Sequence, residues 1–199
     1  MTSLKKTRRK TVMRYTWPIY IVSAVIVALL LNFIFGITHR LPEYKTLTIF
    51  VSGSVTDSKK LEDDLLKKYE DKELKSVTTI SEQVTSPYYA TKLSVSGYSD
   101  ADILIIPVSK LETLTVSAFG LDLKEDLLTS YYQNKTIYQQ DGVGYGIKIN
   151  KEAVQEYMSL PEDDCYMILN GHSENIGQYS KTPNIDHVNA LLVTKDWGI

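Results

Sequence analysis

From Trp17 to Ile37 the chain runs twenty-one residues, WPIYIVSAVIVALLLNFIFGI, without a charged side chain. A hydrocarbon layer of about 30 Å takes roughly 20 apolar residues at about 1.5 Å of rise each, so residues 17–37 are predicted to form a transmembrane helix. A helix satisfies its own backbone, which hydrocarbon cannot do for it. Lys5, Lys6, Arg8, Arg9, Lys10 and Arg14 precede the run with no acid among them, whereas Arg40 and Lys45 follow it with Glu43 between. That asymmetry keeps residues 1–16 in the cytoplasm and puts the rest outside, as a single-pass protein of the cell membrane. A cleaved signal is the competing reading. Its apolar core is about 7–15 residues and ends in a small-x-small site, and the exit here, FGITHRLPEY, has no such tripeptide.

Charge separates the two parts further. Of a net −2, the first sixteen residues carry +6, which leaves −8 for the remainder. An acidic remainder excludes a nucleic-acid partner, which needs a basic face to displace counterions. After a stem at 38–46, residues 47–199 are enough for one domain with its own core. With Cys165 as its one cysteine the domain has no intrachain disulfide, and that residue reads as a small buried hydrophobe rather than a nucleophile.

Strands and helices are predicted in alternation. Leu47 to Val51 is β-branched and aromatic and stops at Ser52-Gly53-Ser54; Thr56 and Asp57 then cap a helix over about 57–70, with Leu61, Leu65, Leu66 and Tyr69 on one face. Val77 to Val84 reads as a thinner strand near an edge. Ser86-Pro87 opens a helix that buries Tyr89, Ala90 and Leu93 and ends at Gly97. Ile103 to Ile106, entered through Asp100 and Asp102 and left through Pro107, is a run buried on both faces. Short helical pieces are expected from Ser109 to about Ala118 and on to Tyr132. Gln140-Asp141-Gly142 turns into an alternating strand through Val143, Tyr145, Ile147 and Ile149. A helix from Lys151 to Leu160, a strand from Cys165 to Leu169 and a helix from Ile185 to Lys195 close the chain.

This alternation argues for a single three-layer α/β domain with a mostly parallel sheet. The runs TLTIFVSGSVTDSKKLEDDLLKKYEDKELKSVTTI, YYATKLSVSGYSDADILIIPVSKLETL and DGVGYGIKIN, in that order, resemble the first lobe of an extracellular solute-binding protein of the ABC-transporter type. The resemblance covers about Leu47 to Asn150, with a looser echo from Tyr166 to Trp197, and implies one lobe of a type II periplasmic-binding-protein fold. It implies ligand-facing loops at Ser52, Gly53 and Ser54, at Pro107, Val108 and Ser109, and at Tyr145. Members of that family close two lobes on a small molecule, and this chain has room for one. After Asn150 it is expected to run almost directly to the strand at Cys165.

The reading that follows is a membrane-anchored extracytoplasmic binding module, non-catalytic, without cofactor or metal, facing a protein partner or a second copy of itself. A small-molecule ligand is left open. A structural or interaction ectodomain without a ligand site is the second reading, and a hydrolase a third. His172, His187 and Asp186 lack the spacing of a metal set; Asp163-Asp164 reads as a solvated turn; no G-x-S-x-G elbow is present. The glycines 142, 144 and 146 lie inside strand alternation and do not open a helix, so they are not a dinucleotide fingerprint. Asn134-Lys135-Thr136 matches a glycosylation sequon and carries no weight by itself.

Overall fold

A computed structural model describes residues 17–33 and 41–199. Residues 17–33 form helix α1, whose large apolar side chains stand 43–71% exposed between Trp17 and Phe33. At about 1.5 Å per residue this stretch is about 26 Å long, and among the described residues no helix is long and apolar enough to cross a membrane. Residues 34–37 of the expected span, and the basic segment 1–16, lie outside the described residues.

Pro42–Ile199 forms a second compact unit. Its chain order is β1 (Thr46–Val51), β2 (Ser54–Val55), α2 (Ser58–Lys68), β3 (Ser76–Ser81), α3 (Tyr89–Lys92), α4 (Tyr98–Asp100), β4 (Ile103–Pro107), α5 (Val108–Leu111), α6 (Glu125–Tyr131), β5 (Ile137–Gln140), β6 (Val143–Lys148), α7 (Lys151–Val154), β7 (Met158–Ser159), β8 (Cys165–Leu169) and α8 (Asn189–Trp197). Six strands make one sheet in the order β3-β1-β4-β8-β6-β5, and β2 and β7 make a second, two-stranded ladder. The pairs β1/β3 and β1/β4 are parallel, while β8 runs antiparallel between β4 and β6. Four of the six strands therefore point one way, with the antiparallel pairings gathered in the second half. From Asn150 the chain does pass to Cys165 with only α7 and β7 between.

Two apolar clusters lie on opposite faces of the sheet, which gives the expected three layers. One joins Ile49, Val51, Ile103, Ile105 and Met167 to Leu61 and Leu65 of α2 and to Leu191 and Trp197 of α8. The other joins Phe50, Leu104, Ile106 and Ile168 to Tyr89, Leu93, Leu111 and Val116. Every residue of β4 is buried, because β4 has a strand on each side and a layer on each face. The α2 cap is the expected one: the Asp57 carboxylate accepts from the Lys60 backbone N–H at 2.9 Å. Edge strand β3 is closed at both ends. Glu62 accepts from the Val77 N–H and the Ser76 hydroxyl at 3.2 Å each, and Lys92 donates to the Ser81 carbonyl at 2.9 Å, so the edge is partly blocked at each end against another strand.

Several elements differ from expectation for local reasons. The helix expected to end at Gly97 continues as one widened turn, Leu93–Gly97, into α4, and Ala90 faces solvent. A helix predicted over 151–160 stops at Val154, since Met158 and Ser159 are drawn off to pair with β2. Helix α8 starts four residues later than expected. Strand β5, absent from the sequence reading, pairs with β6 through a two-residue turn in which Asp141 (φ 54°) and Gly142 (φ 80°) are both left-handed, the geometry that favours Asp-Gly in hairpins. The same pair has a bulge: Tyr138 faces Gly146 and Gln139 faces Gly144, which leaves Tyr145 unmatched. Alternation would put Tyr145 with Ile147 and Ile149; the bulge turns it to the other face, among Phe50 and Leu104.

Candidate functional site

Six of the seven residues assigned by resemblance lie at the carboxyl ends of two adjacent strands. Ser52–Ser54 leave the carboxyl end of β1, Pro107–Ser109 that of the adjacent β4, and the Ser52 N–H donates to the Ile105 carbonyl at 2.9 Å. Tyr145 is not among them, because it lies buried within β6.

These loops do not form an open cleft. Ser52 is 1% exposed and its hydroxyl bonds the Tyr89 hydroxyl at 2.7 Å; burial pushes the Tyr89 phenol up to about 12, so this pair stays neutral at physiological pH. Gly53 lies against the turn after β7: a Cβ there would stand 2.3 Å from the Ser159 carbonyl oxygen, closer than any side chain allows. Pro107 is buried and paired with Cys165, and the Val108 N–H donates to the Asp164 carbonyl at 2.8 Å. Ser54 and Ser109 remain exposed. Where a ligand was expected, the chain has placed its own segment 157–164. Lys151 fixes that segment by donating to the carbonyls of Pro161, Glu162 and Asp163 at 2.6, 2.7 and 2.6 Å. Beside it lies an open groove of about 270 Å³ lined by Lys151, Glu152, Gln155, Met158, Ser159 and Leu160.

A second polar site occupies the opposite end of the sheet, where β1 and β4 begin and β8 ends. Asp102 is 9% exposed. Its carboxylate accepts from the Thr48 N–H at 2.7 Å, from the Ser173 hydroxyl at 2.5 Å and from the Asn175 amide at 3.2 Å. Burial pushes its carboxyl up to about 6, against the three hydrogen bonds, which pull down; nearby Glu43 adds to the rise. Asn175 also donates to the Thr46 carbonyl, Asn189 to the Tyr44 carbonyl and to Asn175, and Asn170 to the carbonyls of Tyr98 and Ala101. A cavity of about 250 Å³ opens here, lined by Glu43, Thr48, Asp100, Asp102, His172 and Glu174 among others.

No local pattern in the sequence marks this site. In the local pattern Asp102 only enters the strand at Ile103 and Asn170 only follows the separate strand that ends at Leu169, and Ser173 stands some 70 residues from its carboxylate partner. The usable signal was an acid directly against a fully apolar run.

Cys165 is buried, and burial pushes its thiol up to about 11, which leaves no thiolate for chemistry. Among the described residues no group of three or more His, Cys, Asp or Glu is placed to hold a metal ion. Asp164 pairs with Lys148 at 2.7 Å.

Neither a family model nor a curated protein matches this sequence. Among solved structures, the maltose/maltodextrin-binding domain MalE from Bdellovibrio bacteriovorus bound to maltotriose is a partial neighbour at TM-score 0.37 and 17% identity, covering 52% of this chain and 28% of that one. The chain thus spans under a third of that neighbour's length.

Proposed function

We propose that this chain is a membrane-anchored, extracytoplasmic α/β binding module that is non-catalytic and presents the strand-end face around Ser54 and Ser109 to a protein partner or to a second copy of itself. The observation that carries the reading is the closure at that face. A Ser52 hydroxyl already bonded to Tyr89 and a Gly53 pressed on the Ser159 carbonyl occupy the position where a solute would have contacted these loops. A small ligand normally has about 70–90% of its surface covered. One face without an opposing wall offers far less, so affinity for a free solute there is low. The apolar run 17–37, with its basic flank, supplies the anchor.

Two measurements test the two halves. Calorimetry of the full chain in detergent with neutral sugars, peptides and amino acids should show no micromolar binding that depends on the strand-end face. A micromolar ligand lost on Ser109→Arg would restore a solute-binding role. A protease added outside intact cells should digest the part after Leu41 and spare residues 1–16. Protection of the carboxyl-terminal part would reverse the orientation.

A further inference from the structure

The two helical layers differ in charge. On one face of the sheet, seven of the eleven residues of α2 are charged. On the other, the seventeen residues from Gln83 to Ser99 hold one charge, Lys92, whose ammonium is already given to the Ser81 carbonyl and the Glu82 carboxylate at 2.9 and 3.2 Å. Within that stretch α3, the widened turn Leu93–Gly97 and α4 make one continuous helical run. Its inner side is committed, since Tyr89, Leu93 and Gly97 are buried against Phe50 and Leu104. Its outer side is not. Of the four large apolar side chains that Pro42–Ile199 leaves exposed, two stand there, Tyr88 at 71% and Val95 at 63%, seven residues and about two turns apart. Thr91 and Ser94 lie between them and are exposed as well. Loss of charge combined with an exposed aromatic and an exposed branched side chain is the composition of an interface centre.

We propose that the face carrying Tyr88, Thr91, Ser94 and Val95 is the contact of a two-fold homodimer, in which a second copy of this chain lays the same helical run across it. Charge selects that occupant. Residues 17–199 carry −8, so most approaches of one copy to another bring acids together and are repelled. Only a stretch without charge lets the two meet. A two-fold contact must also complement itself, because each group near the axis faces its own kind. A charged patch fails that condition. Hydroxyls meet it, as each can both donate and accept, and so do an aromatic ring and a valine side chain packed on their mates. The face includes neither Ser54 nor Ser109, so it is independent of the strand-end proposal.

The test is sedimentation equilibrium of the full chain in detergent over a range of protein concentrations, where a monomer–dimer equilibrium is expected. Tyr88→Asp and Val95→Asp should each raise the dimer dissociation constant about tenfold or more, the scale of losing a central interface side chain and setting like charges face to face. Both positions are exposed, so the variants should keep the urea midpoint of the natural protein. Ser109→Arg should leave the equilibrium unchanged. Cross-linking reads the geometry directly, because a residue beside the two-fold axis meets its own mate. Under diamide, Thr91→Cys or Ser94→Cys should give a disulfide-linked dimer, whereas Lys67→Cys on α2 should not; the native Cys165 is buried and does not compete. A chain that stays monomeric at every concentration overturns the proposal. So does a dimer indifferent to both Asp variants, or one that neither cysteine on this face can link. A dimer lost only in Ser109→Arg overturns it too, by moving the second copy to the strand ends.

Discussion

Ile105→Ala should lower the stability of the chain by about 2–5 kcal/mol, the range for deleting most of a buried branched side chain from a core that cannot collapse around the hole. Ile105 is 0% exposed and sits between Val51 of β1 and Met167 of β8, so the lost methyls are bounded by strands on both sides. Urea unfolding of the full chain in detergent, followed by Trp197 fluorescence in a Trp17→Phe background, measures it. Trp197, the last residue of α8, is buried in the same core cluster as Ile105, and removing Trp17 takes away the other indole. A loss under about 1 kcal/mol, typical of exposed positions, would mean that β4 is not the central strand.

The second large effect belongs to Asp102 and depends on pH. Its ordinary value of 3.8 is raised to about 6 in the folded protein, so the native state holds a proton there that the unfolded chain has already released. Stability from this group is therefore fully present below about 3.8 and is lost as pH climbs through about 6, a difference of about 3 kcal/mol. Glu73, Glu82, Asp126 and Asp196 are lowered in the folded state and work in the opposite direction, gaining stability as pH rises. Comparison with Asp102→Asn cancels their contribution. Between pH 4 and pH 7 the stability of the natural protein should fall relative to that variant by about 2 kcal/mol, the remainder of the difference having been lost below pH 4. A difference flat across that window would place the Asp102 carboxyl in an environment as wet as the unfolded chain's.

Much of the architecture was legible because it rests on local pattern. The all-apolar Ile103–Ile106 run could only be a strand covered on both faces, and it is. Asp57 followed by a 3.6-residue stripe could hardly avoid capping a helix. Ser76 to Ser81, poor in apolar residues, went to an edge as expected. What pattern could not carry was anything decided by a distant partner. The helix begun at Lys151 is cut short by β2, a hundred residues earlier in the chain. The bulge that turns Tyr145 away from Ile147 is a property of the pairing with β5, not of β6 itself. The candidate site divides in the same way. Ser52–Ser54 and Pro107–Ser109 do adjoin, as neighbouring strand ends must, but their closure by 157–164 needed the fold. The Asp102 network draws on residues from Tyr44 to Asn189, and no spacing rule connects them.

The insertion of β8 between β4 and β6 has a consequence for synthesis. Strands β1, β3 and β4 can pair with one another as soon as Pro107 has been made, although β4 still awaits β8 on its other side. The β5–β6 hairpin closes on itself at Asp141-Gly142 but has no place on the growing sheet, because its neighbour there is β8. Translation at about 5–20 residues per second separates Lys148 from Leu169 by roughly 1–4 s. For that interval the hairpin's inner edge is unpaired and Ile105 and Leu104 of β4 lack their second strand. The nascent domain is therefore most exposed to mispairing near its end, and a slow codon stretch between Lys148 and Cys165 would lengthen that exposure, whereas one before Pro107 would not.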